Sequence, residues 1–365
     1  MATAPATIEK LKQQTVADHP AGSVHAQVDE VTTKRTKDQK PYLEIQLRDA
    51  TASFPLRVWS DHHSFGFCSE LRAGDFVEIE GDFMVSAAFG LEARNWNVRF
   101  LTVAEKADLL AGPPEIRERQ GIDYSAVESF TQSIRDPRLR ELSLLFLREF
   151  GDRLRRAAGA RSYHHARRGG LVEHIAQMMR AGDAIAAVYS LLNRDLLLAG
   201  ILFHDSGKLW ENCFPKESFM MPHDFRAELI GHVSMGVELV NRLWQRLKEG
   251  AEFSSWNVLS PDSDLVRLHL LHLVASHHGE KEFGSPVEPK TPEAMALHLI
   301  DNLDAKLEMM SSAYQLGKRL GPEVIERVRP LPTNLVVALG SFTEETNQNI
   351  EQEGKPQPRN PSDSG

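Results

Sequence analysis

The chain has 365 residues, 41% of them hydrophobic and 25% charged, with a formal net charge of −9. That balance suits a folded core and two domains, and it argues against a strong nonspecific duplex binder while leaving room for a local basic groove. The two cysteines, Cys68 and Cys213, supply neither a disulfide framework nor a cysteine-based zinc site. The first residues contain no apolar core of signal-peptide length, and no window approaches 18 consecutive apolar residues. The expectation is therefore a cytoplasmic protein with no membrane contact.

Residues 1–18 read as a polar, flexible leader, and residues 19–106 carry a period of two. Leu43, Ile45 and Leu47 share one face of a strand, and Phe54, Leu56 and Val58 repeat the pattern with Arg57 and Trp59 opposite. With runs at Val24 to Val31, Phe76 to Val85 and Leu91 to Val103, this makes five short strands separated by turn signals. The commonest solution for five such strands is a small closed barrel of the OB-fold type. Such barrels bind single-stranded nucleic acid with aromatics and cations. The candidates are Trp59, Phe89, Trp96, Arg57, Arg94 and Arg99.

Residues 107–123, with Gly112-Pro113-Pro114 and a charged run, read as a linker. From 124 to 340 the period is helical, with Asp123 or Ser125 as the first cap. Three apolar stripes recur at three and four spacing: Leu142, Leu145, Phe146, Phe150; Leu171, Ile175, Met178, Met179; and Val233, Val237, Val240, Trp244, Leu247. Residues 341–365 are rich in Asn, Gln, Glu, Pro and Ser and read as a disordered tail. The fold class expected is thus multidomain β + α, a five-stranded barrel followed by an all-α bundle.

The unusual composition is in histidine, with 15 in the chain, most of them between 164 and 298. His174 opens one helix, and His204-Asp205 ends an apolar one, followed by Gly207-Lys208. His232 heads the Val233 stripe, His277-His278 closes another helix, and Asp301 lies amid Leu297, Ile300 and Leu303. A carboxylate beside an apolar stripe is costly unless paired or ligating, and clustered imidazoles cannot all be protonated. Divalent cations resolve both problems, because they take neutral imidazole and ionised carboxylate. Two of them bridged by Asp205 would use every one of these side chains. Such ligands favour Mn²⁺, Fe²⁺, Co²⁺ or Zn²⁺ over an all-oxygen Mg²⁺ site. Lys208 then suits a phosphoryl oxygen. His62, His63, His223, His269, His272 and His298 are read as ordinary core or surface histidines.

The order His…His-Asp…His…His-His…Asp resembles the HD-domain metal phosphohydrolases, whose four-residue core is matched by His174, His204, Asp205 and Asp301. The additional His232, His277 and His278 resemble the two-metal subset. Several local strings are similar to the YhaM-type 3′-to-5′ exoribonucleases, which also place an OB-fold before the HD domain. These strings are His164-His165-Ala166 before Gly169-Gly170-Leu171-Val172-Glu173-His174, Ser276-His277-His278-Gly279, and Ile300-Asp301-Asn302-Leu303-Asp304. One departure is Asp49-Ala50-Thr51-Ala52, where such barrels often carry Gly after the Thr. The resemblance implies a 3′-to-5′ exoribonuclease acting on single-stranded RNA, with single-stranded DNA and a homo-oligomer left open; the alternatives are an HD enzyme acting on a small nucleotide or cyclic dinucleotide and a non-enzymatic single-stranded nucleic-acid binder. Asp205, Lys208 and His204 would be catalytic. His164, His165, Arg167 and Arg168, with Arg161 nearby and Trp59 and Arg57 on the barrel, are expected to hold the strand.

Overall fold

The structure, a computed structural model, describes residues 5–13, 21–86, 90–161 and 164–340. Phe89, the tail from 341 and half of the expected leader lie outside the described residues. Part of that leader is ordered by its own chemistry. Thr7 caps helix α1 (Ile8–Lys12), which buries Ile8 and Leu11 in the core of the sheet that follows.

That sheet contains β1 (Ala21–Arg35), β2 (Pro41–Arg48), β3 (Ser53–Trp59), β4 (Phe76–Ser86) and β5 (Gly90–Phe100), with a short helix α2 (Phe65–Glu70) between β3 and β4. All pairings are antiparallel in the order β3-β2-β1-β4-β5. The alternation expected in β2 and β3 holds: Leu43, Ile45, Leu47, Phe54, Leu56 and Val58 are buried. The closed barrel does not. Among the described residues β3 and β5 exchange no ladder hydrogen bonds, and the outermost strand β3 carries Pro55, a residue without an N–H that sheets confine to edges. Side chains reach across instead, with Arg57 3.7 Å from Glu92. The β2–β3 turn lacking the extra Gly is closed by Asp49, whose Oδ1 accepts from the N–H groups of Thr51 (2.7 Å) and Ala52 (2.9 Å).

The stretch 107–123 expected as a linker is largely helical. Helix α3 (Val103–Ala111) stops at Gly112, and α4 (Pro114–Gln132) starts at once. Proline breaks a helix from within but suits its first turn, so Pro114 is a start signal here. Asp123 is correspondingly no cap: it lies buried inside α4 and takes Arg180 Nη2 at 2.8 Å. Then come α5 (Pro137–Leu154), α6 (Gly170–Val188), α7 (Arg194–Phe203), α8 (Lys208–Glu211), α9 (Phe225–Lys248, broken at Gly231), α10 (Ser263–Ser276) and α11 (Pro292–Leu316). The three apolar stripes meet in one core, with Phe146 edge-on to Phe203 at 5.1 Å and Trp244 fully buried. The helical region ends sooner than its period suggested. Residues 317–340 contain a two-stranded ribbon, β6 (Val324–Ile325) with β7 (Leu335–Val336), in a segment where Pro322, Pro330 and Pro332 exclude a helix.

The two regions touch through a buried amide. Gln27 on β1 donates to Ser218 Oγ (2.9 Å) and accepts from the Phe219 N–H (2.6 Å), anchoring the loop between α8 and α9.

Candidate metal centre

The helices α6, α7, α9, α10 and α11 each deliver one end, or one turn, to a common point. His174 comes from the second turn of α6, and His204 and Asp205 follow α7 directly. His232 follows the break in α9, where Gly231 has φ of 70°. His277 and His278 follow α10, and Asp301 faces inward from α11. Gly207 is fixed by packing: a β-carbon there would lie 1.9 Å from the backbone oxygen of His232. The absence of a side chain lets the 204–208 turn approach the helix that carries His232.

Asp205 is the hub. Its Oδ2 lies 3.2 Å from His204 Nε2 and 3.8 Å from His174 Nε2, while Oδ1 lies 3.5 Å from His277 Nε2 and 3.6 Å from His232 Nε2. Asp301 Oδ1 adds to the first group at 3.3 Å from His174 Nε2. His278 adds to the second, its Nε2 3.2 Å from that of His232. The sequence-predicted ligands His174, His204, Asp205, His232, His277, His278 and Asp301 thus stand together, in two groups on either side of one carboxylate.

The outer nitrogens explain why the inner ones need a cation. Nδ1 of His204, His277 and His278 donates to the carbonyl oxygens of Ile201 (2.7 Å), Val274 (2.7 Å) and Phe283 (2.8 Å). A carbonyl only accepts, so the proton sits on Nδ1 and the neutral ring turns an Nε2 lone pair inward. Lone pairs then confront one another, as between His232 and His278 Nε2 at 3.2 Å. Both oxygens of Asp205 and Nε2 of His277 are buried without a hydrogen-bond partner. Lys208 Nζ stands 2.7 Å from Asp205 Oδ2 as an ion pair, outside hydrogen-bond geometry. Orphaned buried acceptors converging in this way fit divalent cations. Among the described residues the groupings His232–His277–His278 and His174–His204–Asp205 have donor atoms within 4.8 Å of one another.

Protonation follows from the same contacts. Burial alone would raise the Asp205 carboxyl, but the charge of Lys208 beside it holds it well below its ordinary 3.8. Burial likewise opposes the charge on His174, yet hydrogen bonds to Asp301 and Asp304 raise its pKa to about 9 in the metal-free protein. His278 is pushed down to about 4 by burial and by His277 and His232. A cation on the His174 side therefore displaces a proton.

The expected strand-holding residues divide. His164 lies beside the centre, its ring 5.9 Å from that of His174, with a buried Nδ1 lacking a partner. Burial, then Lys208, lowers its pKa to about 4. His165 is buried against Asp304 (2.9 Å). The guanidinium groups are already engaged: Arg167 by Glu173 and Glu308, Arg168 by the carbonyls of Pro215, Lys216 and Ser218, and Arg161 by those of Glu211 and Pro222. On the sheet Trp59 is 47% exposed and packs on Tyr42 at 4.9 Å. Trp96 is buried, covered by His62 (4.1 Å, 16° between planes) and then by exposed His63 (4.3 Å). Arg57 lies between Glu44 and Glu92, and Arg99 pairs with Glu78 and Glu105, whereas Arg94 is exposed. Of the histidines read as ordinary, His298 donates to the His277 carbonyl and His272 accepts from the Lys290 N–H.

Asp304 and Glu211, which sequence reasoning misses, hold the ligand rings of His174 and His232, and Glu173 stands behind them against Arg167 and His165. The i+3 spacing of Asp304 from Asp301 was the available signal.

The HD-domain family model matches residues 171–306, which include His174, the His204–Asp205 pair and Asp301. HD domains bind divalent metals and are typical of metal-dependent hydrolases. Shorter stretches are similar to solved structures. The chain is 18% identical to RecG bound to a three-way DNA junction, over 24% of this chain and 12% of that one, with a TM-score of 0.21. It is 16% identical to the p204 HINb domain, over 27% and 47%, at 0.21. It is 21% identical to the replication factor A related protein from Methanobacterium thermoautotrophicum, over 27% and 91%, at 0.21. The chain thus spans 12% and 47% of the length of the first two. Likeness at this level establishes neither fold nor function. Among the described residues, no helix is long and apolar enough to cross a membrane.

Proposed function

We propose that the protein is a metal-dependent phosphohydrolase that removes nucleotides from the 3′ end of single-stranded RNA. The observation that carries the hydrolase part is Asp205, whose two oxygens face separate groups of imidazoles with no donor to satisfy them. Divalent cations held there, two of them with Mn²⁺ favoured by the mixed ligands, would activate water and polarise a phosphoryl group. Lys208, beside Asp205, would meet charge developing on the phosphoryl oxygens, and the partnerless Nδ1 of His164 would hydrogen-bond the terminal phosphate. The strand reading is supported by a sheet that exposes Trp59 and His63 and is tied by Gln27 to the loop before α9.

A second reading is favoured by a specific observation. Of the sheet's cations, Arg57, Arg99, Arg48 and Lys34 are each paired with a carboxylate, which reduces the charge offered to a phosphate backbone, although Arg94 stays exposed. On that reading the substrate is a small nucleotide or cyclic dinucleotide. Incubating end-labelled single-stranded RNA, its DNA counterpart, free nucleotides and cyclic dinucleotides with Mn²⁺ decides between them. Stepwise shortening from the 3′ end, abolished by chelator and in Asp205→Ala, is the expected result. Hydrolysis of free nucleotides with intact RNA would favour the second reading.

A further inference from the structure

We infer that Asp304, with His165 behind it, positions His174 for one cation, while Glu211 positions His232 for the other, so the two halves of the centre loosen separately. This rests on reading the site as a two-cation centre.

Asp304 follows Asp301 by three residues, so both carboxylates leave α11 on one face. They grip the same ring from opposite sides: Asp301 Oδ1 lies 3.3 Å from His174 Nε2, and Asp304 Oδ2 accepts from His174 Nδ1 at 2.7 Å. The same Oδ2 accepts from His165 Nε2 at 2.9 Å. Two rings converging on one oxygen at hydrogen-bond length make a hydrogen-bonded buttress rather than a third cation site. The backbone is bent to place it. His165 has φ of 46°, a left-handed conformation unfavourable for a residue with a side chain, and it is buried. Gly170 makes the room: a β-carbon there would lie 2.1 Å from the His165 carbonyl oxygen.

The other half has an equivalent. Glu211 Oε2 accepts from both Nδ1 (2.8 Å) and the backbone N–H (3.1 Å) of His232, fixing the ring and the turn that carries it. The remaining imidazoles, His204, His277 and His278, are oriented by backbone carbonyls, which no substitution removes. Asp304 and Glu211 are therefore the side chains through which each half can be adjusted without touching a ligand.

The test titrates Mn²⁺ into the metal-stripped full chain by calorimetry. The wild type is expected to take two equivalents. Asp304→Ala should weaken one of them by about 10–100-fold and leave the other within about threefold, and Glu211→Ala should do the same to the other. The double variant should retain neither at wild-type affinity. Asp304→Asn and Glu211→Gln keep an acceptor and should restore part of the loss, and His165→Gln should weaken the Asp304-dependent equivalent by a smaller factor. Melting of each metal-free variant separates lost affinity from lost fold, and the conservative pair serves if an alanine variant does not fold. Equal weakening of both equivalents by each variant, no weakening at all, or fewer than two equivalents in the wild type would overturn the inference. Selective weakening in a protein that leaves RNA intact would keep it and sink only the nuclease reading.

Discussion

The helical centre and the five-stranded sheet treat charge in opposite ways. In the centre, Asp205 and His277 are buried with polar atoms left unsatisfied, and the imidazoles of His232 and His278 turn lone pairs toward one another. On the sheet, Arg57, Arg99, Arg48 and Lys34 are answered by nearby carboxylates in contacts of 2.5–3.5 Å. An unsatisfied buried group costs on the order of 1–3 kcal/mol and persists where something absent completes it. A satisfied surface pair is worth roughly 0–1 kcal/mol and points to no ligand. The comparison points to the helical centre as the place where a ligand would complete the pairing, and on the strand reading the sheet would act through its aromatic rings more than its cations.

Substitutions can break or sharpen that contrast. The largest effect is expected from Asp205→Ala, which removes the group shared by both halves. Hydrolysis should fall by at least about a thousandfold, a loss of roughly 4 kcal/mol in transition-state stabilisation, measured as kcat/KM on the accepted substrate. Next is Trp244→Ala in the helical core, which should cost about 3–5 kcal/mol in chemical denaturation and leave the metal-binding residues intact.

The third effect is pH-dependent and reads the centre without substrate. His174 has its pKa raised from 6.5 to about 9 by Asp301 and Asp304 against the opposing effect of burial. A raised folded-state pKa gives stability that is fully present below the unfolded value and lost as pH rises through the folded one. The metal-free protein should therefore lose this contribution between about pH 6.5 and 9, as followed by thermal melts. Over the same window Mn²⁺ should bind more tightly, because the proton it displaces leaves more readily. Melts of the metal-free protein that show no decline across that window would mean that His174 is not held by its carboxylates.

On the sheet the effects are smaller. On the strand reading, Trp59→Ala should weaken single-stranded RNA binding by about 1–3 kcal/mol, measured by fluorescence anisotropy. Arg57→Ala should change affinity by less than about threefold and leave the salt slope unmoved, because its charge is already answered by Glu44 and Glu92. A steep change in salt slope would show that the guanidinium leaves its carboxylates for phosphate.

How much of this was legible in the sequence follows from what each element advertises. Alternation in Leu43, Ile45 and Leu47 declares a half-buried strand, and the order of His174, His204-Asp205, His232, His277-His278 and Asp301 along helical stripes declares a shared centre. The open edge between β3 and β5 was not legible, because closure depends on a pairing of strands far apart in sequence. Arg167 and Arg168 look like a basic loop in sequence; only folding reveals Glu173, Glu308 and three carbonyls waiting for them. Glu211 is a charged residue on a helix and carries no periodic mark of what it will touch, whereas Asp304 is marked only by its i+3 spacing from Asp301. Pro113-Pro114 reads equally as a stop and as a start, and the structure uses it as a start.

The most direct test is a crystal structure of the Mn²⁺-soaked protein with anomalous data collected at the manganese edge. Two peaks flanking the Asp205 carboxylate, one against His174, His204 and Asp301 and one against His232, His277 and His278, are the predicted result. No peak, or peaks away from Asp205, would contradict it.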